Sequence, residues 1–383
     1  MSGLCCARRL REEGHDVVVL ESADHIGGRV TSEEVDGFVV DRGFQVLNPA
    51  YPHLRRAVDL TRVGLRSFPR SVRVSTDEGI TELTDPSRRP SALASDLASG
   101  LVGPRDVAGL LAVVRGAVRD EDRRTAFDRA GFTGPLRHRV VDPFLAGVVC
   151  ERDGSTSARF TAWLLGTFMA GTPGLPSGGM RTLPRVLAEG LDVRTGRHVV
   201  GIDSATATVT TDEGELSARA LVLACGPLAS ADLLGTPTPK VHATTTHWFA
   251  MDQAPSESAA IHVDGTGEGP VTTTVVSRVA PEYAPAGQHL VAALTLAGEG
   301  SDAESTRSHC GRIYGTDTSD WRLVASHEIA CTVPAVEPGA SFSPTIERRN
   351  RLVVAGDHLG NASLDGAAAS GQQAARRVAE MLG

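Results

Sequence analysis

The sequence predicts an α/β fold of two interleaved domains, and three stretches carry that prediction. The first is Ser2 to Arg29, where Leu4, Cys5, Ala7 and Leu10 recur at helical spacing opposite Arg8, Arg9, Arg11, Glu12 and Glu13. A turn at Gly14 follows, then the apolar run Val17 to Leu20, which suits a parallel strand covered on both faces. Glu21 comes next, where an acidic side chain accepts hydrogen bonds from a ribose, so the stretch reads as the second half of a dinucleotide-binding βαβ unit. The second stretch is Ala220 to Ala224, another apolar run, ending in Cys225-Gly226-Pro227 where such sheets bind ligands. The third is Arg351 to Leu382, a strand running into Gly-Asp, a loop, and a last helix opened by Gly366 and Ala367.

The full dinucleotide fingerprint is a strand, G-x-G-x-x-G and a helix. Gly3 falls where the third glycine belongs, and Met1 occupies a position inside the glycine loop. The expectation is that a strand and two further glycines precede Met1 in the natural protein. The competing reading is that another strand fills that place in the sheet.

The length of 383 residues is enough for two connected domains with sizeable cores. Hydrophobic and charged contents of 41% and 22% are those of an ordinary globular chain. A net charge of -8, with no basic run, gives no footing for a nucleic-acid partner. No apolar run is long enough to cross a bilayer, and no basic-then-apolar leader opens the sequence, so the expected location is the cytoplasm. The cysteines at 5, 6, 150, 225, 310 and 331 form no C-x-x-C and read as free thiols.

Asp36-Gly37 marks a hairpin within Val30 to Val46. From residue 49 the character changes. A β-like patch covers Val72 to Leu83, and helical spacing covers 90–100, 104–118, 124–130 and 156–170. Pro143 to Gly147 and Phe160 to Met169 either line a pocket or pack as helical core. The chain then returns to dinucleotide-domain character with a helix over Arg181 to Leu191, a strand over His198 to Ile202 and a hairpin turning at Asp212 to Gly214. Residues 237–344 are strand-rich and read as an antiparallel sheet, with a helix over Ala303 to Tyr314. The resulting division is 1–48, 176–235 and 345–383 for the cofactor domain, and 49–175 and 236–344 for an α+β substrate domain.

The run E-x5-G-G-R (Glu21, Gly27, Gly28, Arg29) and the closing stretch from Arg351 resemble the two FAD motifs of a superfamily. Its members include flavin amine oxidases, protoporphyrinogen oxidase and phytoene-desaturase-like proteins. The resemblance implies a Rossmann-like, glutathione-reductase-like FAD-binding domain and hydride removal from a C–N or C–C bond of a small molecule. Site roles follow from it. Gly3 and the first helix would face the pyrophosphate; Gly27, Gly28 and Arg29 would add a close approach and a cation. Asp41-Arg42-Gly43-Phe44 is similar to the segment leading toward the flavin, although Gly43 also suits a plain turn. Val199 would meet the adenine end through its backbone. Gly356 would pass the phosphates, Asp357 would accept from a ribityl hydroxyl, and the N–H groups of Gly366 and Ala367 would face the flavin pyrimidine end.

Lys240 is the one lysine in the chain and stands just before a strand, where a lysine of the amine oxidase branch contacts the flavin through water. A solvated lysine at a strand start is the alternative. The branch's aromatic cage is missing, because Leu364-Asp365 occupies the place of one member. That makes a simple amine a doubtful substrate and brings a larger apolar molecule forward. Two rivals remain: a flavin-dependent mutase with no net oxidation, and a binding protein that has lost FAD. No metal site is expected, since His242 and His247 fall on opposite faces of a strand and His327-Glu328 lacks a second histidine.

Overall fold

The computed structural model describes residues 1–84, 96, 99–115, 119–298 and 302–383. The first helix, Ser2–Glu12, buries Leu4, Cys5, Cys6, Ala7 and Leu10, the face its spacing predicts. That face packs on the C-terminal helix Leu364–Leu382, which buries Ala367, Ala368, Gly371, Ala374, Ala375 and Val378. Small residues let the two backbones approach closely. A β-carbon on Gly371 would stand 2.2 Å from the Ser2 carbonyl oxygen.

The strand Val18–Leu20 pairs in parallel with Asp192–Arg194, and Leu221–Leu223 pairs in parallel with Leu352–Val354. Among the described residues, Val18–Leu20 and Leu221–Leu223 each keep one edge without a strand partner. The sequence reads Val17 to Leu20 as covered on both faces, but Val18 is 48% exposed. With one edge unpaired and a cavity alongside, nothing covers it.

Ser32–Val35 and Phe38–Asp41 form the expected hairpin, with Asp36 and Gly37 both at positive φ, as a type I′ turn requires. The hairpin ends on Asp41, which is fully buried. Its carboxyl accepts from the Ser32 hydroxyl (2.6 Å), the Met180 N–H (2.9 Å) and the Tyr283 hydroxyl (3.1 Å). Burial pushes this carboxyl up to about 6, against the pull of those three donors. A carboxyl raised in the folded state gives stability that is full below the unfolded value near 4 and is lost as pH rises through about 6. The urea midpoint of the parent protein relative to that of Asp41→Asn should therefore fall between pH 4 and pH 6. An equal pH slope in both proteins would refute this.

The largest sheet has seven strands in the order Arg322–Pro334, Val241–Met251, His289–Leu296, Thr272–Val275, Ile261–Asp264, Ser71–Thr76 and Gly79–Thr84. Period-two alternation divides its core. Trp248 and Ala250 pack with Phe38, Val40 and Tyr283, whereas Phe249 and Met251 pack with Cys310, Tyr314 and Trp321 beside the helix Ala303–Tyr314. The strands of residues 237–344 pair antiparallel with one another, as expected, and the hairpin at 71–84 joins Ile261–Asp264 in parallel, so the whole sheet is mixed.

Four helices stand by this sheet: Pro104–Arg115, Arg123–Arg129, Asp142–Val149 and Ala158–Ala170. Asp122 caps the second and Ser157 the fourth. A π-helical turn, Leu136–Val141, leads into the third. The helix expected over 90–100 lies for the most part outside the described residues. The helices Pro52–Ala57 and Pro227–Leu234 are among those that escape the sequence reading, and both carry proline at the first position.

Candidate active site

One cavity of about 1290 Å³ runs from the open edge of Val18–Leu20 to the helices Asp142–Val149 and Ala158–Ala170. Gly3, Glu21, Gly27, Gly28, Arg29, Gly43, Phe44, Val199, Gly356, Asp357 and Ala367 all line it. Residues as far apart in sequence as Gly3 and Ala367 thus meet around one space. Gly366 is not part of its lining, and neither is Lys240. Lys240 is 56% exposed and paired with Glu337 at 2.7 Å. That corrects the catalytic reading: at the start of its strand the ammonium reaches solvent and a carboxylate, not the cavity.

The first intrahelical bond of Ser2–Glu12 runs from the Cys5 N–H to the Met1 carbonyl at 3.0 Å. The N–H groups of Ser2, Gly3 and Leu4 therefore have no acceptor within the helix, and the residues line the cavity. Free donors at a positive helix end make an anion site. Gly27 follows across the cavity at φ +103°, where a β-carbon would meet the Val30 carbonyl at 2.4 Å. Only glycine fits there. Arg29 donates to Asp357 at 2.6 Å and to the Thr332 carbonyl at 2.9 Å, and Gln45 donates to the Arg29 carbonyl at 2.7 Å. The Glu21 carboxylate accepts from the Ala23 N–H at 3.0 Å and keeps acceptor capacity toward the cavity.

Two expectations need correction at the closing motif. The Gly366 N–H donates to the Ser363 hydroxyl at 3.0 Å, and the Ala367 N–H donates to the Ser363 carbonyl at 2.9 Å. The free donors of that helix end are two residues earlier, at Leu364 and Asp365. The signal was present in the sequence, since a serine three residues before Gly366 is a standard N-cap. Gly356 lines the cavity, and its N–H is held by the Ser370 hydroxyl at 2.9 Å. The sequence also does not reveal Asp365 as an anchor. Its buried carboxylate accepts from the N–H groups of His53 (2.7 Å) and Leu54 (3.1 Å), tying Pro52–Ala57 to the last helix.

The far arm of the cavity is different in kind. Tyr51, Phe144, Val148, Phe160, Leu164, Phe168, Ile261, Leu294, Ile329 and Val333 line it. Every charged side chain on the cavity wall comes from residues 16–42, 194–219 or 357, none from this arm. Pro143 to Gly147 and Phe160 to Met169 serve both roles weighed for them: Leu145 and Ala146 pack as core, while Phe144, Gly147, Phe160, Leu164 and Phe168 face the cavity.

A helix end with free N–H donors, an acid with spare acceptor capacity and an adjoining apolar pocket together fit a dinucleotide cofactor. The profile of the family described as flavin containing amine oxidoreductase matches residues 1–379, and the chain belongs to that family. Its cofactor is FAD, and the free N–H groups, Glu21 and the Gly27 approach fit that group. Among curated relatives, polyamine oxidase 3 of Oryza sativa subsp. japonica is 26% identical over 220 residues, 52% of this chain and 44% of that protein. The chain thus spans less than half the length of that relative. An oxidoreductase from Methanosarcina mazei superposes with a TM-score of 0.78 at 19% identity, covering 97% of both chains. A putrescine oxidase bound to putrescine superposes with a TM-score of 0.69 at 18% identity, covering 99% of this chain and 97% of that one. At such identities the likeness carries the fold. No helix among the described residues is long and apolar enough to cross a membrane, and no group of His, Cys, Asp and Glu there forms a metal site.

Proposed function

We propose that this protein is an FAD-dependent oxidoreductase that removes a hydride from a C–N or C–C bond of an apolar small molecule. The observation behind this reading is the far arm of the cavity, which has aromatic and aliphatic walls and no carboxylate. Several of the relatives and neighbours are named for polyamines or putrescine. A diamine in this arm would leave its distal ammonium desolvated and unpaired, a cost of several kcal/mol or more. An apolar substrate meets the walls without that cost, and each buried methylene adds about 0.8 kcal/mol.

FAD, when bound, supplies the hydride acceptor, and oxygen or another acceptor reoxidises it. The chain's own part is to hold and to enclose. Arg29 and the first-turn N–H groups of Ser2, Gly3 and Leu4 oppose the pyrophosphate charge, and Glu21 accepts from the ribose. Phe144, Phe160 and Phe168 exclude water from the reacting end of the substrate.

The test is anaerobic mixing of FAD-loaded protein with two panels, one of cyclic and isoprenoid alkenes, ketones and alcohols, the other of putrescine and spermidine. Bleaching of the visible flavin band by members of the first panel and not the second is expected. Rapid bleaching by putrescine with none by the apolar panel would overturn the reading.

A further inference from the structure

Tyr51 precedes the helix Pro52–Ala57, is 8% exposed, and lines the apolar arm. Its ring is fixed from behind: it stacks on Trp163 with centroids 5.9 Å apart and planes 7° from parallel. Trp163 is held in turn by Phe160 at 5.9 Å and Phe342 at 5.3 Å. Such a ladder leaves the tyrosine little rotational freedom and directs its hydroxyl consistently.

That hydroxyl has no hydrogen-bond partner among the described residues, although buried phenols ordinarily find one. It is also absent from the fully enclosed polar atoms that lack partners, so it opens onto the cavity. Thr332, another hydroxyl-bearing residue on the cavity wall, is already bonded to the Thr244 hydroxyl at 2.8 Å. Burial, reinforced by the nearby Asp365 carboxylate, holds the phenol well above its usual value. It therefore stays protonated and acts as a donor.

We infer that Tyr51 donates a hydrogen bond to the substrate, and that the substrate is an apolar molecule carrying an oxygen acceptor, a carbonyl or hydroxyl, on the edge that meets Tyr51. This rests on the apolar reading of the arm and narrows it: a pure hydrocarbon would leave a buried donor unpaired. Tyr51 is then a specificity-determining contact. The aromatic wall gives affinity and the hydroxyl gives orientation.

The test compares 1-tetralone with tetralin, its deoxygenated counterpart, as ligands of the FAD-loaded protein, following tryptophan fluorescence because Trp163 stacks on Tyr51. The parent protein should bind 1-tetralone about tenfold more tightly than tetralin, the worth of one neutral hydrogen bond. Tyr51→Phe keeps the ring ladder, so tetralin affinity and FAD affinity should hold while the tenfold gap closes. An unchanged gap in Tyr51→Phe overturns the inference. A loss of FAD affinity in that variant also overturns it, since the hydroxyl would then meet the cofactor. Equal binding of both probes by the parent protein removes the Tyr51 role and leaves the apolar arm standing. Binding of putrescine with neither probe bound removes both readings.

Discussion

Arg123→Met should destabilise the protein by about 3–5 kcal/mol, the largest effect expected of any single substitution at an ion pair here. Arg123 is 2% exposed and donates to Asp142 at 2.8 Å and to Glu151 at 2.9 Å. Glu151 is itself 5% exposed. Methionine matches the length and apolar bulk of arginine, so packing changes little, but Glu151 is left as a buried charge without its cation. Its other partners, the Gly154 N–H at 2.6 Å and the Thr156 N–H at 3.4 Å, cannot neutralise it. Asp142 suffers less because Arg137 still reaches it at 3.2 Å. Urea unfolding at pH 7 measures the loss, and adding Glu151→Gln should restore part of it by removing the orphaned charge. A loss below about 1 kcal/mol, or a double variant as poor as the summed singles, would contradict this account. The change should also reach the cavity. Asp142–Val149 supplies Phe144, Gly147 and Val148 to the apolar arm, so substrate affinity should fall while FAD affinity holds.

Gly371→Val should act in the opposite place, on the cofactor. A β-carbon there would stand 2.2 Å from the Ser2 carbonyl, 3.0 Å from the Cys5 β-carbon and 3.1 Å from the Cys6 nitrogen. Two of those neighbours are backbone and cannot rotate away, so the first helix must move off the last one. Overpacking of this kind costs about 1–3 kcal/mol. The functional effect is larger, because the displaced end carries the N–H groups of Ser2, Gly3 and Leu4. FAD titration should show at least a tenfold weaker complex. Arg376→Ala, on the exposed face of the same helix, serves as the control and should bind FAD normally. Equal FAD affinity in Gly371→Val would show that the donors at that end are not what holds the cofactor.

Much of the cofactor side was legible in the sequence because its demands are local. A glycine at positive φ, an acid after an apolar run and a helix face at 3.6-residue spacing each announce themselves within a few residues. The helix Ala303–Tyr314 matches its expected span, and the strands Val241–Met251 and His289–Leu296 fall in the stretch expected to be strand-rich, for the same reason. What was not legible depends on distant partners. Lys240 looks distinctive as the one lysine in the chain, yet Glu337 decides where its ammonium goes. Asp365 is dictated by backbone donors more than 300 residues away. Tyr51 illustrates the same limit. Nothing near Tyr51 in the chain indicates Trp163, whose stacking turns a plain core tyrosine into a directed hydroxyl.

The pairing of the first helix with the last has a consequence for synthesis. About 350 residues separate Glu12 from Leu364. At roughly 5–20 residues per second, the apolar face formed by Leu4, Cys5, Cys6 and Leu10 emerges from the ribosome some 20–70 s before its partner exists. The seven-stranded sheet, whose last strand ends at Pro334, can be complete before the cofactor region has closed. During that interval the nascent chain displays a sticky, unpaired helix, and holding it apart from other chains falls to chaperones rather than to the fold.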